Sequence, residues 1–268
     1  MKMTLKTLAA AAAFVAAGVA NAGTITLPTG GSVSDSNFDF SGLSGSGTLT
    51  FSSTLIGALN AGGVQVAQVD PAVVTTTTTT PTSSKYKTVS AAAPVTSLNA
   101  SFNGTSLAVN TVGTAGGALQ TAVDDGFTTT GGSLAITNLK VDLNAKKVFA
   151  TLVGANGVGT INNLDLWDIA TISGATSFTV PAGGGVLTST NTLSGLKINA
   201  NAFSLFSQAL GLTAAGNNAL ATVTDFGSIN SSISLTATPA VPEPSTYLMM
   251  VAGLAAVGMT ARRRGNKA

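Results

Sequence analysis

Residues 133–153 read SLAITNLKVDLNAKKVFATLV, and this stretch decides the fold class. Leu134 and Ile136 alternate with small or polar residues, and Leu139, Val141 and Leu143 do the same. After a turn at Asn144-Ala145, Val148, Ala150 and Leu152 alternate on the return. An apolar residue at every second position turns one side of an extended chain toward a core, so the segment predicts a β-hairpin with one buried face. The apolar parity switches between Ile136 and Leu139. One extra residue in a strand produces such a switch, which predicts a bulge near Asn138.

Moving outward, Thr48–Phe51 and Gln65–Val69 carry the same strand character, and Pro71 ends the second because proline cannot donate to a ladder. Strands return over Gly227–Thr238, with Ile229, Ile233 and Leu235 as the apolar positions. From Gly23 to Phe51 the chain is rich in Gly, Ser and Thr, as in short strands with tight turns. Thr75–Thr80 before Pro81 is a low-complexity run that reads as an exposed strand or loop, or as an O-glycosylated stalk. One helix interrupts the pattern. Asn199 or Asn201 can cap a segment in which Phe203, Phe206 and Leu210, with Leu205, fall near one face, and Gly211 stops it. That stripe reads as a cover for an open edge or end of a sheet. The expected architecture is mainly β, with sandwich-like antiparallel sheets and one short helix.

Composition narrows the chemistry. The chain of 268 residues contains no histidine and no cysteine. That excludes disulfides, thiolate or imidazole metal ligands, and Ser–His or Cys nucleophilic machinery. No cofactor or metal is expected. Charged residues are only 8% of the chain, and all three arginines are Arg262, Arg263 and Arg264. The only glutamate is Glu243. Without the two ends, the six lysines 85, 87, 140, 146, 147 and 197 face nine aspartates, a body of net charge −3. No arginine is left there to grip phosphate, so nucleic acid is not an expected partner.

The two ends are addresses rather than core. Lys2 and Lys6 precede and flank an apolar stretch, Leu8 to Val19, and Ala20-Asn21-Ala22 supplies small residues at the positions a signal peptidase inspects. Residues 1–22 therefore read as a secretory signal helix cut after Ala22, which leaves 23–240 as one β-rich extracytoplasmic domain. At the other end, Pro242-Glu243-Pro244 stands in a proline-rich, extended stretch. Residues Tyr247 to Ala261 carry no charge, and Arg262 to Arg264 follow. The apolar segment reads as a short transmembrane helix over 247–261. Its basic end 262–264 would lie in the cytoplasm by the positive-inside bias, which leaves the body outside.

This order of parts over 241–268 resembles the PEP-CTERM sorting signal of Gram-negative bacteria. The resemblance implies a precursor anchored in the inner membrane and processed by an exosortase that recognises Pro242, Glu243 and Pro244. It implies a final location at the cell surface or in the extracellular matrix. Within the body, Leu134-x-Ile-x-Asn-Leu-x-Val-Asp142, the Leu193 to Leu210 segment and Asp225-Phe226-Gly227 together resemble HtaA-like haem-binding domains across Gly132 to Ile233. Haem needs an axial ligand, and the body has no histidine and only Tyr86 as a tyrosine, outside that segment. The resemblance implies a fold, without haem.

Three clusters remain as candidates for chemistry. Asp165 and Asp168 flank Trp167, the sole tryptophan, as a hydrolytic carboxylate pair beside a sugar platform would; the same residues with Asn162 and Asn163 also describe a solvated turn. Asp35-x-Asn37-x-Asp39 places oxygens at alternate positions like a calcium loop, but lacks the glycine and the distal glutamate. Asp124-Asp125-Gly126 reads as a turn. The reading favoured is a non-enzymatic structural or interaction protein of the surface or of extracellular polysaccharide. The alternatives are a glycan- or small-ligand-binding module using Trp167 and, last, a secreted hydrolase using aspartates.

Overall fold

The hairpin is present. Strands β9 (Gly132–Asp142) and β10 (Lys147–Gly154) pair antiparallel, and in their turn Asp142 Oδ1 accepts from the Ala145 N–H at 2.8 Å. Leu134, Val148 and Leu152 are fully buried, each worth about 1.5–3 kcal/mol of removed apolar surface. The bulge sits where the parity switches: Asn138 has φ +52°, and Phe149 faces Lys140 while Thr151 faces Thr137. Two residues of β9 therefore oppose one of β10.

The computed structural model describes residues 23–35, 37–240 and 249–255. Upstream of the hairpin lie β1 (Gly23–Pro28), β2 (Ser32–Ser34), β3 (Phe38–Phe51), α1 (Ser53–Ala61), β4 (Gln65–Val69), β5 (Val73–Thr78), β6 (Tyr86–Phe102), β7 (Ser106–Thr114) and β8 (Gly117–Ala122). Downstream lie β11 (Gly159–Gly174), β12 (Ser177–Thr179), β13 (Gly185–Ile198), α2 (Ala200–Ala209), α3 (Ala214–Ala221) and β14 (Gly227–Pro239). The fold is mainly β and antiparallel, as the sequence reading expects. The expected sandwich-like sheets are joined in one hydrogen-bonded sheet. Following its ladders from β7 through β6, β3, β14, β13, β11, β10 and β9 leads back to β7, a closed antiparallel circuit.

Closure depends on the Asn138 bulge. Before it, Gly132–Thr137 of β9 pair with β8; after it, Lys140–Asp142 pair with β7. The exchange of partners happens at one corner, where the Asn138 N–H donates to the Gly116 carbonyl at 2.9 Å. Gly116 has φ +75°, and a Cβ on Gly117 would stand 1.9 Å from the Ile136 carbonyl oxygen. Only glycine allows β7 to turn into β8 so close to β9.

The interior has two halves. At one end Phe38, Phe40 and Phe102 form an edge-to-face cluster, with Phe102 centroids 5.8 Å from Phe38 and 5.1 Å from Phe40. At the other end three helices close the ring over Trp167, Phe206 and Phe226, where Phe226 stands 6.1 Å from Trp167 and 6.3 Å from Phe206. The expected helix is α2, capped by Asn199, whose Oδ1 accepts from the Asn201 N–H at 3.1 Å, and stopped where Gly211 takes φ +61°. It covers an end of the sheet, as its stripe suggests. The expectation of a single helix needs correction: α1 is capped by Ser52 and buries Leu55, Ile56 and Leu59, and α3 is capped by Thr213 and buries Gly216 and Leu220. With 9 and 8 residues, they are too short to show a convincing period and are held by tertiary packing.

Both ends of the body lie beside the phenylalanine cluster. Gly23 pairs with Phe102, and the Ala240 N–H donates to the Asn37 carbonyl at 2.8 Å, whereas β14 begins at the helical end with Gly227 opposite Phe51. Residues 249–255 are helical, and Met249, Met250, Val251 and Leu254 are exposed. Among the described residues no helix is long and apolar enough to cross a membrane. The signal segment with Ala22, the motif Pro242, Glu243, Pro244, the remainder of the expected 247–261 span and Arg262 to Arg264 lie outside the described residues.

Substituting Gly117→Ala should lower the unfolding free energy by at least about 2 kcal/mol in a denaturant titration, because backbone rather than a mobile side chain blocks the new methyl. Asn138→Gly should stay within about 1 kcal/mol of wild type, and Asn138→Val should fall by about 1–3 kcal/mol because a β-branched residue resists positive φ.

Candidate functional site

The residues singled out by sequence separate into structural devices and one unforeseen cavity. In β11 the register against β10 slips: Trp167 faces Val148, but Asp165 faces Phe149, leaving Leu166 as the extra residue. This bulge turns Leu166 and Trp167 both inward and leaves Asp165 and Asp168 on the outer face, where a regular strand would send residues three apart to opposite sides. Lys147 occupies the space between the carboxylates, with Nζ 2.5 Å from Asp165 Oδ2 and 3.2 Å from Asp168 Oδ1. Asp165 and then Asp168 hold the Lys147 ammonium above its ordinary pKa, so their support is present at neutral pH and is lost only in alkali. Trp167 is 2% exposed and lies behind this face, so it offers no platform to a sugar stacked outside. The structure brings the two aspartates together and separates them from the tryptophan.

The remaining clusters are structural. Asp39 lies in β3 opposite Ser34 of β2, and the Asp35 N–H donates to the Phe38 carbonyl at 2.8 Å. In the second cluster, Asp124 Oδ1 accepts from the Gly126 N–H at 2.8 Å. Asp125 Oδ1 accepts from the N–H groups of Phe127, Thr128 and Thr129, and its other oxygen accepts from the Thr128 hydroxyl. The Thr128 hydroxyl and these amides hold the Asp125 carboxyl far below the usual carboxylate range. The turn in turn carries the helical end: the Thr213 hydroxyl, the cap of α3, donates to the Phe127 carbonyl at 2.5 Å, and the Thr130 N–H donates to the Gly211 carbonyl at 2.8 Å.

Tyr86 and Asp225-Phe226-Gly227 are structural too. The Tyr86 hydroxyl accepts from the Val66 N–H at 2.9 Å and donates to Gln65 at 3.3 Å. Asp225 Oδ1 accepts from the N–H groups of Leu196 at 3.1 Å and Gly227 at 2.8 Å, which fixes Phe226 against Trp167. Gly227 is required because a Cβ there would meet the Thr50 carbonyl at 2.0 Å.

Under the helical roof lies an apolar cavity of about 100 Å³. One wall is aromatic and aliphatic, with Leu59 of α1, Trp167 of β11, Phe206 of α2 and Phe226. Small strand residues line the cavity as well, Gly47 of β3, Ala91 and Ala93 of β6, and Ala118 of β8. These small residues alternate along their strands as core positions and read in sequence simply as inward-facing. That they leave a void is set by which strands become neighbours. An unfilled apolar void of this size forgoes on the order of 2 kcal/mol of packing. Its few polar lining residues are Thr114, Gln120, Thr128, Asn191, Ser231 and Trp167, whose indole Nε1 is buried with no hydrogen-bond partner.

Known proteins bear on the end of the chain rather than on the cavity. Residues 240–264 match the PEP-CTERM protein-sorting motif. The match covers the Pro242-Glu243-Pro244 stretch, the apolar segment and Arg262 to Arg264, and it implies an exported precursor that an exosortase processes. No curated protein matches the chain. Among solved structures, the heme binding protein HtaB from Corynebacterium glutamicum is similar to this chain at 14% identity and a TM-score of 0.37, covering 81% of this chain and 98% of its own. That weak likeness transfers neither ligand nor site.

Asp125→Asn should lower the melting temperature at neutral pH. The Asp125 contribution is full above the ordinary carboxylate pKa of 3.8 and fades as pH falls through its depressed value. The gap between wild type and Asp125→Asn should therefore narrow as pH is lowered below about 4 in a series of thermal melts.

Proposed function

We propose that this chain is an exported, exosortase-sorted protein whose β body serves, without catalysis, as a structural or interaction component of the cell surface or its polysaccharide matrix. The observation that carries this reading is the sorting motif over residues 240–264 joined to a body whose two ends emerge together. Signal peptidase acts after Ala22, the tail holds the precursor in the inner membrane, and exosortase acts at Pro242-Glu243-Pro244. The geometry supports it. With the tail leaving at Ala240, the phenylalanine end of the ring faces the membrane and the helical end faces away. The exposed threonines of β5 and a body charge of only −3 suit contact with hydrated, neutral glycan better than with a polyanion. Lys147 occupies the space between Asp165 and Asp168 where a paired-carboxylate hydrolase would hold its substrate, which favours the non-catalytic reading.

Fractionation with intact-mass analysis tests the sorting. The wild-type chain should lose its tail and leave the inner membrane, and a variant with Pro242, Glu243 and Pro244 all changed to Ala should keep the tail and remain there. Equal retention of the full tail by both would defeat the reading. Orientation is tested separately, because the chain has no cysteine of its own. In precursor held in spheroplast membranes, Phe127→Cys at the helical end should react with a membrane-impermeant maleimide faster than Val186→Cys near the tail. Both positions are exposed in the body, so the reverse order would place the helical end against the bilayer.

A further inference from the structure

The cavity beneath the helices has the marks of a binding site rather than a packing flaw. It is bounded by rigid strands on one side and by α1, α2 and α3 on the other, and its walls are overwhelmingly apolar. Small side chains on three different strands, Gly47, Ala91, Ala93 and Ala118, create it. One methyl more is not sterically forbidden there: a Cβ on Gly47 would meet only Ile229 and Thr114 methyl groups at 3.8 Å, ordinary contact. The void therefore persists although nearby positions have room to shrink it.

A second observation concerns polarity. Trp167 lines the cavity at 2% exposure, and its indole N–H makes no hydrogen bond. Buried donors are almost always satisfied, because an unmade hydrogen bond away from water leaves the desolvation cost uncompensated. The walls exclude a sugar, whose several hydroxyls would find few partners. They fit a compact hydrocarbon skeleton with a single acceptor oxygen.

We propose that this cavity binds a compact apolar molecule, of about the bulk of one six-membered ring, whose carbonyl or ether oxygen accepts a hydrogen bond from the Trp167 indole. The inference goes beyond surface display and does not depend on it, because the cavity is complete within residues 47–231. Its small volume restricts the ligand to a single ring or a short branched chain; engineered apolar cavities of roughly 150 Å³ hold benzene.

Trp167 is the only tryptophan of the chain, so its emission reports on the cavity alone. The full chain reconstituted in lipid vesicles is titrated with cyclohexanone as the probe, with methylenecyclohexane as the same-shaped probe lacking the oxygen and glucose as the polar one. Vesicles containing N-acetyltryptophanamide correct for collisional quenching and partition. Expected are a saturable emission change with cyclohexanone, no response to glucose, and a cyclohexanone-to-methylenecyclohexane affinity ratio about tenfold higher in wild type than in Trp167→Phe, because the ratio cancels the different hydration of the two probes and leaves the indole hydrogen bond. Ala93→Leu should abolish the saturable change by filling the void, and Ala93→Val, the milder filling variant, should weaken it. Both ring probes are followed by thermal shift in wild type and in Trp167→Phe, so that the ratio is read in the same way in both. Unsaturable quenching in wild type, undiminished binding in folded Ala93→Val, or a probe affinity ratio unchanged by Trp167→Phe would each overturn the proposal.

Discussion

The hydrogen bond from the Asn138 N–H to the Gly116 carbonyl marks the point on which the architecture turns. A flat antiparallel sheet of this many strands would present long open edges, which invite pairing with other chains. Here β9 gives its first half to β8 and its second half to β7, so the sheet meets itself. Closure converts alternating residues into an inside and an outside. The Phe38–Phe40–Phe102 cluster, the Trp167–Phe226–Phe206 contacts and the void between helices and strands all exist because there is an enclosed interior to hold them.

A second consequence of closure is that the open end needs a cover. The three helices supply it, tied down by side-chain caps and by the Asp125 turn rather than by charge: none has an acidic first turn or a basic last turn. Ser52 shows how economically the joints are made. Its hydroxyl donates to the Asp225 carbonyl and accepts from the Leu55 N–H, linking the start of α1 to the entry of the neighbouring strand β14. In a chain with 8% charged residues, hydroxyl and amide hydrogen bonds carry the connections that ion pairs often carry elsewhere.

Much of this was legible in the sequence because it was local. The period-two pattern of residues 133–153 gave the hairpin, and its change of parity located the bulge at Asn138. Asn199 and Gly211 marked the ends of α2. The sorting tail was legible for a different reason: Pro242-Glu243-Pro244, the apolar segment and the arginines are consecutive. What stayed hidden was non-local. Closure requires β7 and β9 to meet around a ring, and no residue in either strand announces that. Helices α1 and α3 are too short for periodicity to betray them. Trp167 looked like a surface platform because its neighbours are aspartates; the β11 bulge, which reverses its direction, depends on the register with β10. The cavity was hidden for the same reason, since Ala91, Ala93 and Ala118 are unremarkable until their strands are brought together.

The position of β14 has a temporal meaning. It is the last strand of the body, yet it lies between β3 and β13, pairing with both along most of its length. A chain is made from its N-terminus, so the ring cannot close until residue 239 has emerged. Pairings between the first and last thirds of the chain are also the slowest kind to form. The body therefore stays unfinished until its last strand arrives, and its first third waits on its end.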